Sequence, residues 1–206
     1  MNRQQMIRTI RRRTSWVFSG LTPRKLYNML IGCFQFATKQ EKMLSWPVVV
    51  KVDISPICNL RCTICVHADA HGNAALEQQD FRGTHRMTVA QFQRIVDEIG
   101  GRSNAVSLYT WGDPMTHPDL DAMARIARDA GLQVHISTNF SFALSDERIR
   151  SIVGSGLTHL TVCVDGLSQE KYQRTRVNGR IDWVLDNLKR VTALKRQLGL
   201  VYPAVE

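Results

Sequence analysis

Beyond Pro47, short runs rich in β-branched residues alternate with longer amphipathic stretches, and few folds accept that rhythm. VVVKVDI (48–54), AVSLYT (105–110), LQVHIST (132–138) and THLTVCV (158–164) read as strands. MTVAQFQRIVDEIG (87–100), PDLDAMARIARDAG (118–131), SDERIRSIVGSG (145–156), SQEKYQRT (168–175) and IDWVLDNLKRVTALKRQLG (181–199) read as helices. The third opens on a serine cap, and the first two stop at glycine. LVYPAV begins a fifth strand. Strands that alternate with helices pair in parallel through crossovers, and the near-continuous apolar character of these strands suits burial on both faces. The predicted class is α/β with a parallel sheet. There is no repeat of solenoid length and no low-complexity segment.

The 206 residues are 44% hydrophobic and 22% charged, as in ordinary globular chains. No apolar run approaches the ~18 residues of a membrane span, and no secretory h-region is present, so a cytoplasmic location is expected. The net charge of +9 is uneven. Arg3, Arg8, Arg11, Arg12, Arg13, Arg24 and Lys25 fall within residues 1–25, where there is no acid. Residues 1–21 therefore read as a basic arm, either a solvated leader or a contact for nucleic acid or an anionic membrane. Residues 22–46 read as a helix and linker, with Thr22 as N-cap and Pro23 at the first helical position. Leu26, Met29, Leu30, Cys33 and Ala37 then share one face. That face is expected to pack on the following domain, with Cys33 as a small buried hydrophobe; a membrane-surface helix is the other reading. Residues 47–206 form the core domain.

CNLRCTIC places Cys58, Cys62 and Cys65, three of the chain's five cysteines, in the loop after the first strand. An odd, clustered set argues against a disulfide framework and for metal or redox chemistry. Thiolates at i, i+4 and i+7 can wrap one compact inorganic centre. Structural zinc wants four ligands, and His67 or His71 could complete such a set. A [4Fe–4S] cluster normally takes four cysteines, so three leave one iron open.

C-x3-C-x2-C after a first strand resembles the radical SAM superfamily, and three further segments extend the likeness. YTWGDPMTHPDL (109–120) is similar to that family's "WGEP…HPDL", with Asp113 one methylene shorter than the usual Glu. STNF (137–140) is similar to its "TNG", with Phe140 in the glycine's place. TVCVDGLSQEKYQRTRVNGRIDWVLDNL (161–188) resembles "SIDG…Y…R…G…F…V…NI" of members that carry a C-terminal SPASM domain, with Cys163 where serine is usual. The likeness covers about residues 24–206 and implies that Cys58, Cys62 and Cys65 ligate a [4Fe–4S] cluster. It implies that Gly112, Asp113 and Pro114 form the edge that receives the methionyl amine of S-adenosylmethionine, through the carboxylate or through backbone carbonyls. Thr138 and Asn139 would face the cofactor pocket. Asp165 would lie near the ribose or carboxylate, and Arg176 would pair with the carboxylate. Cys163 either substitutes for the serine contact or is a buried strand residue.

The implied fold is a partial (β/α)6 TIM-like barrel with parallel strands, preceded by the N-terminal helix. Four complete βα units and the start of a fifth strand are present, so the chain is expected to be a truncated form or one completed by a partner. The implied activity is reductive cleavage of S-adenosylmethionine to a 5′-deoxyadenosyl radical that modifies a peptide, protein or small molecule, served by a flavodoxin- or ferredoxin-like electron donor. None of the histidines (67, 71, 85, 117, 135, 159) stands out as a general acid or base. The rival expectation is a non-catalytic, zinc- or cluster-stabilised α/β module whose basic arm docks on RNA or an anionic membrane.

Overall fold

The computed structural model describes residues 20–65 and 85–206. Most of the basic arm, with His67 and His71, lies outside them. Helix α1 (Pro23–Ala37) precedes strand β1 (Val49–Lys51). Helix α2 (Val89–Ile99), β2 (Ala105–Ser107), a 3-10 turn (Pro114–Thr116), α3 (Leu120–Asp129) and β3 (Gln133–Thr138) follow. Then come α4 (Asp146–Gly154), β4 (His159–Val162), α5 (Gln169–Thr175), α6 (Ile181–Gln197) and β5 (Ala204–Val205). Two caps are those expected from the sequence, Thr22 on α1 and Ser145 on α4. Thr88 and Gln91 form a reciprocal capping box on α2, Ser145 caps α4 and Ser168 caps α5.

The five strands lie in the order β1-β2-β3-β4-β5, and every neighbouring pair is parallel. That is the α/β sheet the alternation requires. The strands are shorter than their apolar runs, because pairing stops where the chain turns into the loops beyond each strand's C-terminus. Val52, Val106, Leu108, Val134, Ile136, Leu160 and Val162 join Phe92, Val96, Met123, Ala127, Ile152 and Val184 in one core. Each fully buried large side chain there contributes about 1.5–3 kcal/mol. This is the helix-covered side of the sheet.

The opposite side departs from the expectation of strands buried on both faces. Ser107 and Thr161 hydroxyls flank His135, at 3.4 and 2.9 Å from its ring nitrogens, and Ser137 lies 3.7 Å from Cys163 Sγ. Tyr109 packs edge-on to His135, with the Lys51 ammonium 5.5 Å from the Tyr109 ring centroid. The β-branched runs are thus two-faced, apolar toward the helices and polar on the other side.

Helix α1 corrects the reading of its faces. Its buried residues are Lys25, Asn28 and Gln35. Lys25 Nζ donates to Gly131 O at 2.7 Å, and Asn28 Nδ2 donates to Trp46 O and Arg102 O. Gln35 Oε1 accepts from the Leu44 and Ser45 amides. The polar side docks on carbonyls and amides at the N-terminal end of the sheet, so Leu26, Leu30 and Cys33 are exposed. Cys33 is not a buried hydrophobe.

Candidate active site

At the C-terminal ends of β1 to β4 the chain encloses a cavity of about 420 Å³. Its floor begins with the loop leaving β1. Ser55 Oγ and Thr116 Oγ1 are 2.9 Å apart, Thr116 Oγ1 lies 3.1 Å from Ile57 O, and the Asp113 amide donates to Ile57 O at 2.9 Å. These bonds press residues 55–57 against the loop after β2. At their crossing sits Gly112, where a Cβ would meet Ser55 O and lie 2.7 Å from Ile57 O. Only glycine allows that approach.

The cysteine loop is fastened on its other side to the end of α5. The Arg61 amide donates to Val177 O and the Thr63 amide to Thr175 O, both at 3.1 Å. Asn59 Nδ2 donates to Ser141 O at 2.8 Å, and Leu60 is buried beneath. Cys58, Cys62 and Cys65 all border the cavity. Asn139 Nδ2 approaches Cys58 Sγ at 3.8 Å, and Arg176 Nη1 approaches Cys62 Sγ at 3.6 Å. Burial pushes the Cys58 thiol up to about 11 and raises Cys62 as well, against the lowering effect of Arg176. Arg176 Nε also donates to Asp165 Oδ2 at 2.5 Å. The pair leaves the arginine anchored at the rim with Nη1 toward Cys62 Sγ.

Asp113 is placed differently from a ligand-facing carboxylate. Its oxygens accept from the Thr138 hydroxyl at 2.9 and 3.0 Å, from the Asn139 amide at 2.8 Å and from the Met115 amide at 3.0 Å. Burial raises its pKa to about 6 despite those donors. The side chain ties the end of β2 to the end of β3. Thr138 and Asn139 are held by the same knot, and Asn139 passes it on to Asn59 Oδ1 at 2.9 Å. Phe140 follows with φ 56°, the left-handed backbone that suits the glycine its position resembles.

Of the eleven residues singled out from the sequence, ten border this cavity: the three cysteines with Gly112, Asp113, Thr138, Asn139, Cys163, Asp165 and Arg176. Pro114 does not; it is buried at the start of the 3-10 turn. Ile64, Tyr109, Trp111, Ser137 and Thr175 also border it and were missed. Strand alternation was the available signal for two of them, since Tyr109 and Ser137 share the polar side with His135 and Cys163. His117 is structural, with its ring nitrogens bound to Met87 O and the Asp119 amide.

The model of the radical SAM superfamily matches residues 52–202, most of the chain. The chain belongs to the radical SAM superfamily. Members use a [4Fe–4S] cluster and S-adenosylmethionine, and the named homologues are enzymes. One is the AdoMet-dependent heme synthase of Methanosarcina barkeri (strain Fusaro / DSM 804), 27% identical over 134 residues that span 65% of this chain and 36% of that protein. Another is the GTP 3′,8-cyclase of Chlorobaculum tepidum, 27% identical over 146 residues that span 70% of this chain and 41% of that protein. The crystal structure of Streptococcus suis SuiB bound to S-adenosylmethionine overlays with a TM-score of 0.60 at 16% identity, covering 93% of this chain and 42% of that one. That likeness is one of fold. The chain spans about two-fifths of the length of these curated relatives.

The radical SAM cofactors can be tested against the donors present. Three thiols border one cavity, and N–H donors stand near two of the sulfurs, a set suited to a thiolate-bound iron cluster. The thiols rim the cavity without closing on a point; among the described residues no three His, Cys, Asp or Glu side chains are gathered tightly enough to hold a metal ion. The donor chemistry fits.

Proposed function

We propose that residues 47–206 are the cofactor-binding part of a radical SAM enzyme in which Cys58, Cys62 and Cys65 hold three irons of a [4Fe–4S] cluster. The observation that carries this is the single cavity shared by the cysteine loop and the C-terminal ends of β2, β3 and β4. When bound, the cluster with S-adenosylmethionine supplies one-electron cleavage of the sulfonium to a 5′-deoxyadenosyl radical. Gly112 lets the backbone after β2 run beside the cysteine loop, so its carbonyls serve as acceptors for the methionyl amine. The Asp113 carboxylate is spent on Thr138, Asn139 and Met115, and acts by holding that edge in place. Arg176 offers a cation to the methionyl carboxylate while Asp165 fixes its orientation. The raised thiols of Cys58 and Cys62 release their protons as metal is taken up.

The polar side of the sheet, from which Tyr109 and Ser137 border the cavity, supports a polar substrate. Peptide-modifying and SPASM-type roles, a flavodoxin- or ferredoxin-like donor and a cytoplasmic location belong to the same proposal. No helix among the described residues is long and apolar enough to cross a membrane.

The test is anaerobic reconstitution with iron and sulfide. The wild-type chain should turn brown and hold about four irons and four sulfides. A Cys58→Ala, Cys62→Ala, Cys65→Ala variant should hold none. A colourless protein with one tightly held zinc would overturn the proposal.

A further inference from the structure

Asn139 is tied into the wall of the cavity through both its backbone and its side chain. Its amide donates to Asp113 Oδ2 at 2.8 Å, and its carbonyl accepts the buried Tyr172 hydroxyl at 3.4 Å. Its side-chain Oδ1 accepts the Ser141 amide at 2.8 Å. That bond fixes which way the carboxamide is turned, because only the oxygen can accept. Nδ2 is therefore the atom that points toward the cysteine loop. One of its hydrogens goes to Asn59 Oδ1 at 2.9 Å, and the second faces Cys58 Sγ at 3.8 Å. The residue is buried, and a buried amide hydrogen is rarely left without an acceptor. The separation is long for a neutral thiol. It is expected to shorten once Cys58 carries a thiolate's charge, since hydrogen bonds to charged acceptors are the short ones.

Cys62 is served differently. Its sulfur faces Arg176 Nη1 at 3.6 Å, a cation whose other edge is bound to Asp165. Asn139 is the neutral donor of the two, and its own anchors decide where it points.

We propose that Asn139 is a positioning residue that sets the reduction potential of the cluster through its N–H to Cys58 Sγ. The inference rests on the reading that Cys58 is a cluster ligand. An added electron increases the negative charge that a cluster spreads over its ligand sulfurs. An N–H aimed at one of those sulfurs stabilises the reduced form more than the oxidised one, so the cluster becomes easier to reduce. The aim is set from a distance. Asp113 and Tyr172 hold the Asn139 backbone from two sides, and the clasp between β2 and β3 reaches the cluster through this one side chain.

The test is a dithionite redox titration of the full chain after anaerobic reconstitution with iron and sulfide, without S-adenosylmethionine, followed by EPR of the reduced cluster. Asn139→Ala should make the cluster at least about threefold harder to reduce, a midpoint lowered by about 30 mV for one electron. Asn139→Asp keeps an oxygen for the Ser141 amide and nearly the same size but has no N–H, so it serves if the alanine variant does not fold. Its midpoint should fall at least as far. An added charge lowers a potential without any hydrogen bond, so the contact itself is read from nitrogen hyperfine coupling. With the asparagine side-chain amides isotopically labelled, the reduced wild-type cluster should show a labelled-nitrogen coupling that Asn139→Asp loses. A midpoint that either folded variant leaves unchanged, or no coupling lost between wild type and Asn139→Asp, would overturn the inference and leave the cluster assignment standing. A wild-type chain that takes up no cluster would overturn that assignment, and this inference with it.

Discussion

The Asp113 carboxylate accepts the Thr138 hydroxyl through both oxygens, at 2.9 and 3.0 Å, and so locks the end of β2 to the end of β3. The residue that sequence likeness assigns to the cofactor amine is a buried clasp, 4% exposed, with backbone donors completing it.

Asp113→Ala should destabilise the chain by about 3 kcal/mol or more, because it strands three buried donors. Asp113→Glu, the residue usual in the family, should also destabilise, by about 1–3 kcal/mol, since a longer side chain moves the carboxylate off the three donors it now meets. Urea unfolding of both variants checks this. A Glu variant as stable as wild type would show that the carboxylate can swing into the cavity.

Gly112→Ala should be among the most damaging single substitutions outside the core, costing on the order of 3 kcal/mol. Its Cβ would collide with Ser55 O and Ile57 O, backbone atoms that cannot step aside singly. The collision pushes on the segment that leads into Cys58, so iron uptake on reconstitution should fall together with the melting temperature. Normal iron content in a destabilised Gly112→Ala variant would separate the two effects and contradict the account.

Phe140 sets two effects against each other. Its φ of 56° costs about 1–2 kcal/mol for a residue with a Cβ, yet its ring is wholly buried in the core. Losing the ring costs about 3–5 kcal/mol. Burial wins, and Phe140→Gly should be less stable than wild type by about 2 kcal/mol in spite of relieving the backbone. A more stable glycine variant in chemical denaturation would reverse that ranking.

Burial first, then His159 and Lys51, hold His135 down from 6.5 to about 4. The unfolded chain gains this proton as pH falls through 6.5, while the folded chain resists until near 4. Its contribution is therefore complete above pH 6.5 and is lost as pH drops toward 4. Partial exposure leaves an effect of about 2 kcal/mol across that window. Unfolding free energies measured at about pH 7 and about pH 5 should converge more in His135→Gln than in wild type. Parallel losses in the two proteins would rule His135 out as the source.

The helices were legible because their signals are local. Thr22 and Ser145 cap where the sequence says they will, and the α2 boundaries Val89–Ile99 fall inside the stretch 87–100. The site was largely legible too, since a parallel α/β chain delivers every strand's C-terminal loop to one edge. Motifs at four strand ends therefore meet in one cavity, although they are far apart in the chain. Pro114 is the exception, drawn under the loop by the 3-10 turn it starts. Tyr109 and Ser137 escaped notice because alternation along their runs gives two sides, and only the fold shows which side meets the cavity.

By itself, then, the sequence determined the alternating elements, the parallel class, the cysteine loop and the family. These rest on residue spacing, and spacing is preserved in any conformation that satisfies the backbone. The tertiary structure alone decided which way side chains face. Periodicity shows that α1 has two sides, but only the waiting carbonyls of Gly131, Arg102 and Trp46 draw the polar one inward. In the same way, only the Thr138 hydroxyl and the Asn139 and Met115 amides turn Asp113 from the cavity into the wall. A polar group faces wherever its partners are, and partners distant in sequence exist only once the chain has folded.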